Sequence, residues 1–190
     1  MAYVTATTAK ATNTALAEYT DAQVNAKVAE FEDILERYCS VAYTTRTATE
    51  QITRRPLRST VQLANPRLIS LTSITVDGTV LSLTNVARLK TPGVLMHVPF
   101  TDPCPLDCTI VYTHGYATTP VLAIAAAVEY AARSLAADNS GTSRDVRSQA
   151  FDGGTTNYIT PDWSRGRPTG WTEVDRLILS LKDSVRVMVG

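Results

Sequence analysis

The chain has 190 residues, of which 18 are basic and 18 acidic, so it carries no net charge. That removes the bulk attraction that draws basic proteins onto nucleic acid or anionic lipid. Three cysteines, an odd number, argue against a secreted disulfide framework. The length allows one or two compact units with a real core. The N-terminus lacks the basic-then-apolar order of a signal peptide, so an intracellular site of synthesis is expected. Fourteen of the basic residues are arginine, the cation suited to planar, hydrogen-bonded interface contacts and also the one that GC-rich genomes favour.

Residues 1–19 are rich in Ala and Thr and show no core-forming pattern; they read as an arm or a marginal helix. Thr20 to Cys39 reads as an amphipathic helix. Thr20 and Gln23 fit a capping box, and Val24, Val28, Phe31, Leu35 and Tyr38 follow the spacing of one face. Glu30, Glu32, Asp33 and Glu36 form an acidic outer side, expected to face solvent or a partner rather than to do acid–base work.

From Val41 to Tyr116 the period changes to that of strands. Thr44–Arg54 reads as one strand, ended by Arg54-Arg55-Pro56. Leu68–Val76 is a second, and Asp77-Gly78 is a two-residue hairpin signal before Thr79-Val80-Leu81. Val86–Leu89 and Val94–Val98 flank a Pro92-Gly93 turn, and Thr109–Thr113 closes the set. Five or six antiparallel strands predict a small sheet or open barrel.

Pro120 to Ala137 is a helix apolar on nearly every face, which predicts a central helix covered on all sides. Thr119 is expected to cap it, with Pro120 in its first turn. Glu129 and Arg133, four apart, can pair on the one wet face. These charges and the short apolar run argue against a membrane span. Asp138 to Gly170 is broken by five glycines; Arg144–Ala150 and Thr155–Thr160 can form a ribbon, and a loop this long is expected to reach a neighbour. Trp171 to about Asp183 is a second amphipathic helix with Thr172 and Asp175 as its capping pair and Val174, Leu177, Ile178, Leu181 and Val185 on its apolar face. The last residues, through Arg186 and Met188, can prolong the helix or add a strand to another chain.

Catalytic patterns are weak. His97, Cys104, Cys108 and His114 can be written as a zinc set, but the spacing is loose. No nucleophile–base motif is recognisable, and His114 reads as a turn residue. Asp152-Gly153-Gly154 does not open a helix as a phosphate loop must. No metal or cofactor is expected. Arg144 and Arg147 lie near Phe151 and Tyr158, and Arg165 and Arg167 lie near Trp163. Such arginine–aromatic mixtures serve protein hot spots or single-stranded nucleic acid; with zero net charge the protein interface is favoured.

The chain is thus expected to be α+β. A small bundle of three main helices (20–40 and 117–183) would carry an antiparallel β insert (41–116) between the first and central helices. An N-terminal arm (1–19), an extended interaction loop (138–170) and a C-terminal tail (184–190) complete it. Several stretches together resemble one family. They are Tyr112-Thr113-His114-Gly115-Tyr116 followed by Pro120 and an Ala-rich helix; Arg147-Ser148 and Asp152-Gly153; and Asp162-Trp163-Ser164-Arg165-Gly166-Arg167-Pro168-Thr169-Gly170 before Glu173-Val174-Asp175. The Arg58-Ser59-Thr60-Val61 to Val76-Asp77-Gly78-Thr79-Val80 region resembles its β insert. In order and spacing these are similar to the head–tail adaptor (head completion or connector) proteins of long-tailed bacteriophages, over roughly Thr20 to Lys182. The resemblance implies a structural virion protein of the neck, assembled in the bacterial cytoplasm and not an enzyme. It implies a homo-oligomeric ring, typically of twelve subunits, bound to the portal protein and offering a docking surface to the next neck or tail protein. Double-stranded DNA would pass through its lumen without sequence-specific binding. Arg144, Arg147, Phe151, Tyr158, Trp163, Arg165, Arg167, Arg186 and Met188 are the expected contact residues. The other readings are a stopper or tail-terminator subunit, a DNA-packaging accessory, and a zinc enzyme.

Overall fold

The computed structural model describes residues 3–54, 61–65, 67–88, 94–96, 106–140, 148–151, 154–157 and 160–186. The architecture is α+β. It divides into two units, one built from Met1–Ser40 and Thr119–Val185, the other from Val41–Thr118 with Arg186–Gly190.

The first unit is helical. A short helix α1 (Ala6–Thr12) precedes α2 (Asp21–Cys39). The Thr20–Gln23 capping box forms in both directions, and the helix stops at Ser40, which takes a left-handed conformation. Val24, Val28, Phe31 and Leu35 are fully buried, as their spacing requires. The segment before α2 departs from expectation. Tyr3, Val4, Ala6, Ala9, Leu16 and Tyr19 are all buried, so residues read as lacking a core pattern belong to the core. The acidic side of α2 is what ties them down. Glu32 accepts the Tyr3 backbone N–H, Glu36 accepts the Tyr3 hydroxyl at 3.2 Å, and Asn25 accepts the Ala6 N–H at 3.1 Å. Glu30 in turn accepts the Tyr130 hydroxyl at 2.6 Å and faces Lys27 at 3.1 Å. All four carboxylates expected to face outward therefore satisfy groups of the same chain, Asp33 through Arg37 at 3.0 Å on the helix surface.

The long helix α3 (Val121–Asn139) packs on α2. It buries Ala123, Ala126, Ala127, Val128, Tyr130, Ala131, Ser134 and Leu135, and the Phe31 and Tyr130 rings meet at 5.3 Å. It is not covered on all sides. Val121 is 82% exposed and Leu122 37% exposed, and Ala125 and Ala136 face solvent with them. Alanines give no hydrophobic direction, so an Ala-rich helix reads as greasy all round although only one side packs. Glu129 and Arg133 do pair, at 2.5 Å. The expected cap fails: Pro120 stands at the cap position and no side chain bonds the first turn. Without an N–H of its own and with φ near −59°, Pro120 sets the entry direction and leaves Thr119 outside. The last helix, α4 (Thr172–Arg186), buries Val174, Ile178 and Leu181.

The second unit is a β structure in two sheets. Strands β1 (Arg46–Arg54), β3 (Leu68–Val76), β4 (Thr79–Val80) and β7 (Leu106–His114) form the larger, in the order β1-β7-β3-β4. Strands β2 (Val61–Gln62), β5 (Ala87–Arg88) and β6 (Val94–Met96) form the smaller, in the order β2-β6-β5. All pairings are antiparallel. β7 pairs with β1 without a break from Arg46↔His114 to Arg54↔Leu106, and with β3 through two irregularities. Along β7, Cys108, Ile110, Tyr112 and His114 are buried while the residues between them are less so, the period of two of a strand with one core face. Asp77 and Gly78, with φ of 45° and 80°, make the tight hairpin turn. A polar tie holds the chain after β2 onto the sheet. Glu50 accepts the Ala64 N–H at 2.9 Å and the Tyr112 hydroxyl, to which Asn65 also donates at 2.9 Å. Strands β8 (Ser148–Phe151) and β9 (Gly154–Asn157) form a separate two-stranded ribbon.

Candidate functional site

Exposed arginines and the exposed Trp163 gather around one turn before α4. Asp162 builds it. Its carboxylate accepts the Ser164 N–H at 3.1 Å, the Ser164 hydroxyl at 2.7 Å and the Arg165 N–H at 3.3 Å, capping a 3-10 turn over Trp163–Arg165. The Ser164 hydroxyl chiefly holds that carboxyl below its ordinary 3.8. Gly166 closes the turn in the left-handed region, φ +72°. Asp162 and Arg167 then exchange two backbone hydrogen bonds, at 2.7 and 2.9 Å. The short Asp-to-Arg sequence is thereby locked into a loop that holds Trp163 against Tyr38 of α2, edge to face at 5.8 Å. On Tyr38 also sits the Lys182 ammonium, 4.0 Å from the ring centroid. Trp163 remains 46% exposed.

Behind the turn lies a pocket of about 500 Å³ lined by Arg165, Arg167, Thr172, Asp175, Arg176 and Leu179. Asp175 is only 3% exposed. Its Oδ1 accepts the Thr169 N–H at 2.9 Å and the Thr169 hydroxyl at 2.7 Å, and the Thr169 hydroxyl oxygen accepts the Trp171 N–H at 3.2 Å. The expected partnership of Asp175 with Thr172 is therefore replaced: Thr172 is already the first helical residue, and Thr169, three positions earlier, takes the role. Asp175 Oδ2 is buried and makes no close hydrogen bond among the described residues. Arg165 and Arg176 reach Asp162 and Glu173 only at 3.4 Å, with side chains 73% and 72% exposed; open pairs of this kind contribute little and are easily exchanged.

Burial pushes the Asp175 carboxyl above its ordinary 3.8, against the pull of the hydrogen bonds from Thr169 and the Gly170 backbone and of the Arg167 charge. A carboxyl whose folded pKa lies above its unfolded one binds more protons folded, so its contribution to stability is lost as pH rises through that window. The stability of Asp175→Asn minus that of the native chain is expected to grow as pH rises from about 4 toward neutrality. Urea midpoints taken across that range check it, and a constant difference would remove the burial argument.

Of the expected contact residues, Trp163, Arg165 and Arg167 share this surface. Phe151 ends β8 and Arg186 ends α4, placed by backbone alone. Arg144, Arg147, Tyr158 and Met188 lie outside the described residues. Tyr38, Asp175, Arg176, Leu179 and Lys182 join the site without having been singled out as contact residues. The zinc set does not converge. His97 and Cys104 lie outside the described residues, and Cys108 and His114 sit six residues apart on one strand, roughly 20 Å by strand rise. Among the described residues no group of three metal-ligating side chains occurs, and no helix is long and apolar enough to cross a membrane.

Fold and site together define an α+β chain that presents a rigid tryptophan–arginine surface beside a mixed polar pocket. No family model matches the chain, and no curated protein matches it. Among solved structures, the chain is similar to one in "Neck of empty GTA particle computed with C6 symmetry", with a TM-score of 0.51 and 14% identity over 76% of each chain. At that identity the likeness establishes the fold.

Proposed function

We propose that this protein is a structural subunit of a phage-like neck, forming a ring between the portal and the tail that extends the DNA channel and docks the next neck or tail protein. The observation that carries the reading is the likeness over three quarters of both chains to a chain of a particle neck, in agreement with the ordered set of motifs that resembles head–tail adaptors. A ring of twelve contains the six-fold axis with which that neck was computed. The Trp163 surface fits the role, since a half-exposed tryptophan with arginines around it has the composition of an interface hot spot. The zero net charge fits a lumen through which DNA slides, because strong phosphate contacts would hold it.

Mass photometry of the chain with its portal is expected to show a species carrying about twelve chains of 20.6 kDa. Trp163→Ala should leave the fold intact, the ring being at the surface, and weaken assembly by about thirtyfold or more. A chain that stays monomeric and off the portal at high concentration would overturn the reading. DNA binding that falls steeply with salt would favour a packaging accessory instead.

A further inference from the structure

We infer that the outer edge of β1 takes a further strand, and that this strand belongs to the β8–β9 ribbon of a second copy of the chain. The inference deepens the assembly reading and rests on it for the partner being a second copy.

The edge comes first. Two bonds fix which groups of β7 face which neighbour. The Asp77 N–H donates to the Asp107 carbonyl at 3.1 Å, and the N–H of Gly115, one residue past β7, donates to the Arg67 carbonyl at 3.0 Å. Odd-numbered residues of β7 therefore bond toward β3, and even-numbered ones toward β1. In the unbroken β1–β7 register those even residues stand opposite Arg46, Ala48, Glu50 and Ile52. Thr47, Thr49 and Gln51 thus turn their N–H and C=O groups outward from β1, which is an end strand of the sheet. These groups have no partner among the described residues, and the three side chains are exposed.

Sheets protect such edges with proline, lysine, bulges or shortness. The far edge is protected, since β4 is two residues long. β1 is nine residues long, contains no proline or lysine, and pairs with β7 without a bulge. Arg46 and Arg54 stand at its two ends, and Glu50 is turned to the Ala64 N–H and the Tyr112 hydroxyl. An open edge of this length is a template for strand addition.

The ribbon has the complementary need. β8 and β9 form a sheet of their own, and among the described elements their substantial packing is on each other. A two-stranded hairpin by itself is marginal in water and becomes stable within a sheet of three or more strands. Ser148–Phe151 and Gly154–Asn157 include no charged residue, and β9 carries Thr155 and Thr156, the residue type that pairs well with threonine across strands. The other strands fit less well. Two β1 edges paired antiparallel over their full length would set Arg46 opposite Arg54 and Glu50 opposite Glu50, like charges that destabilise a sheet. β4 is too short to cover the edge. In the chain itself ribbon and edge stand in separate sheets, so the added ribbon is another copy's. Each copy then gives one ribbon and takes one, the head-to-tail contact that closes rings.

The test has two arms. Hydrogen exchange read residue by residue compares dilute chain with chain assembled alone or on its portal. The amides of Thr47, Thr49 and Gln51 should slow by about tenfold or more on assembly, while those of Ala48, Glu50 and Ile52, already bonded to β7, change little. The second arm uses variants. Thr49→Pro removes an N–H that the β1–β7 ladder does not use, and proline is tolerated on the outer side of an edge strand. It should keep the circular dichroism of the native chain and weaken association by at least about tenfold. Thr49→Val keeps the N–H and should associate as the native chain does. A ribbon-less chain, with Gly-Ser repeats in place of residues 148–157, should stay monomeric. Mixed one to one, the Thr49→Pro and ribbon-less chains hold one good ribbon and one good edge between them. Native mass spectrometry should then show a dimer of about twice the chain mass of 20.6 kDa and nothing larger. Unchanged exchange at the three amides of an assembled chain, native-like association of Thr49→Pro, or self-association of the ribbon-less chain would each overturn the inference. Should Thr49→Pro fail to fold, the exchange pattern and the ribbon-less chain decide. Assembly on the portal without protection of these amides keeps the ring and removes the edge contact. Dimers in the mixture from a chain that forms no ring do the reverse, and no association in either arm removes both.

Discussion

Gly115→Ala is expected to cost the β unit about 4 kcal/mol or more, at the diagnostic end of single substitutions. Gly115 follows β7 with φ +99°, a conformation that L side chains rarely adopt. A Cβ there would stand 2.2 Å from the Thr44 carbonyl oxygen and 3.0 Å from that of Ala42. Both obstacles are backbone, so no rotamer change relieves them. The surroundings leave little slack. The Gly115 N–H bonds the Arg67 carbonyl at 3.0 Å, the Thr45 hydroxyl bonds the Tyr116 carbonyl at 2.9 Å, and Tyr116 is stacked on Tyr43 at 5.2 Å with the Arg67 guanidinium 3.6 Å above its ring. The close approach of the chain entering β1 to the chain leaving β7 is what the missing Cβ permits. Gly78→Ala is the control: its φ is +80°, but nothing lies within 4 Å of the added Cβ. That change should cost about 1 kcal/mol, the backbone term alone. Amide hydrogen exchange along β1, β3 and β7 reads the difference, about a thousandfold acceleration for Gly115→Ala against several-fold for Gly78→Ala. Equal effects would mean that φ, and not the Thr44 contact, decides.

How far the sequence carries can be judged from such places. The α2 face, the Asp77-Gly78 hairpin and the β7 strand were legible because each is a local period or turn with a physical cause. The Tyr112-Thr113-His114-Gly115-Tyr116 motif was visible, but the reason for its glycine was not, since Thr44 lies 71 residues earlier in the chain. The buried N-terminal segment was hidden for a related reason. Two of its buried residues are alanines, which carry no directional signal, and it is held to α2 by hydrogen bonds 19 to 33 residues apart in sequence. At the candidate site, Trp163, Arg165 and Arg167 stood out by type. Tyr38 did not, because it lies on the apolar stripe of α2 and reveals its partner only when the turn after Asp162 is brought across. Asp175 reads as pairing with Thr172, but Thr169, before the helix, makes the hydrogen bonds to it. The helix start slid by one turn's worth of choice among Thr169 and Thr172, the usual uncertainty at helix ends.

Phe31→Ala is expected to destabilise the helical unit by about 3–5 kcal/mol. Phe31 is fully buried on α2, and its ring meets that of Tyr130 on α3 at 5.3 Å. Truncation loses the transfer free energy of the ring and leaves a hole that the neighbours cannot fill. Val28 and Leu35 lie one turn away on the same rigid helix, and Tyr130 is pinned by its hydroxyl to Glu30 at 2.6 Å. Phe31→Leu, which keeps most of the volume, should cost about 1 kcal/mol. The contrast lies on α3 itself. Val121→Ser, on the helix whose whole circumference reads as apolar, should change stability by less than about 0.5 kcal/mol, because Val121 is 82% exposed. Urea unfolding monitored by far-ultraviolet circular dichroism orders the three variants. If Val121→Ser proved as damaging as Phe31→Ala, α3 would be covered on both sides after all, and its outer stripe of Leu122, Ala125 and Ala136 would have to be sealed by contacts between copies of the chain. Such sealing has its own signature, a cost that rises with protein concentration because the folded state is then coupled to association.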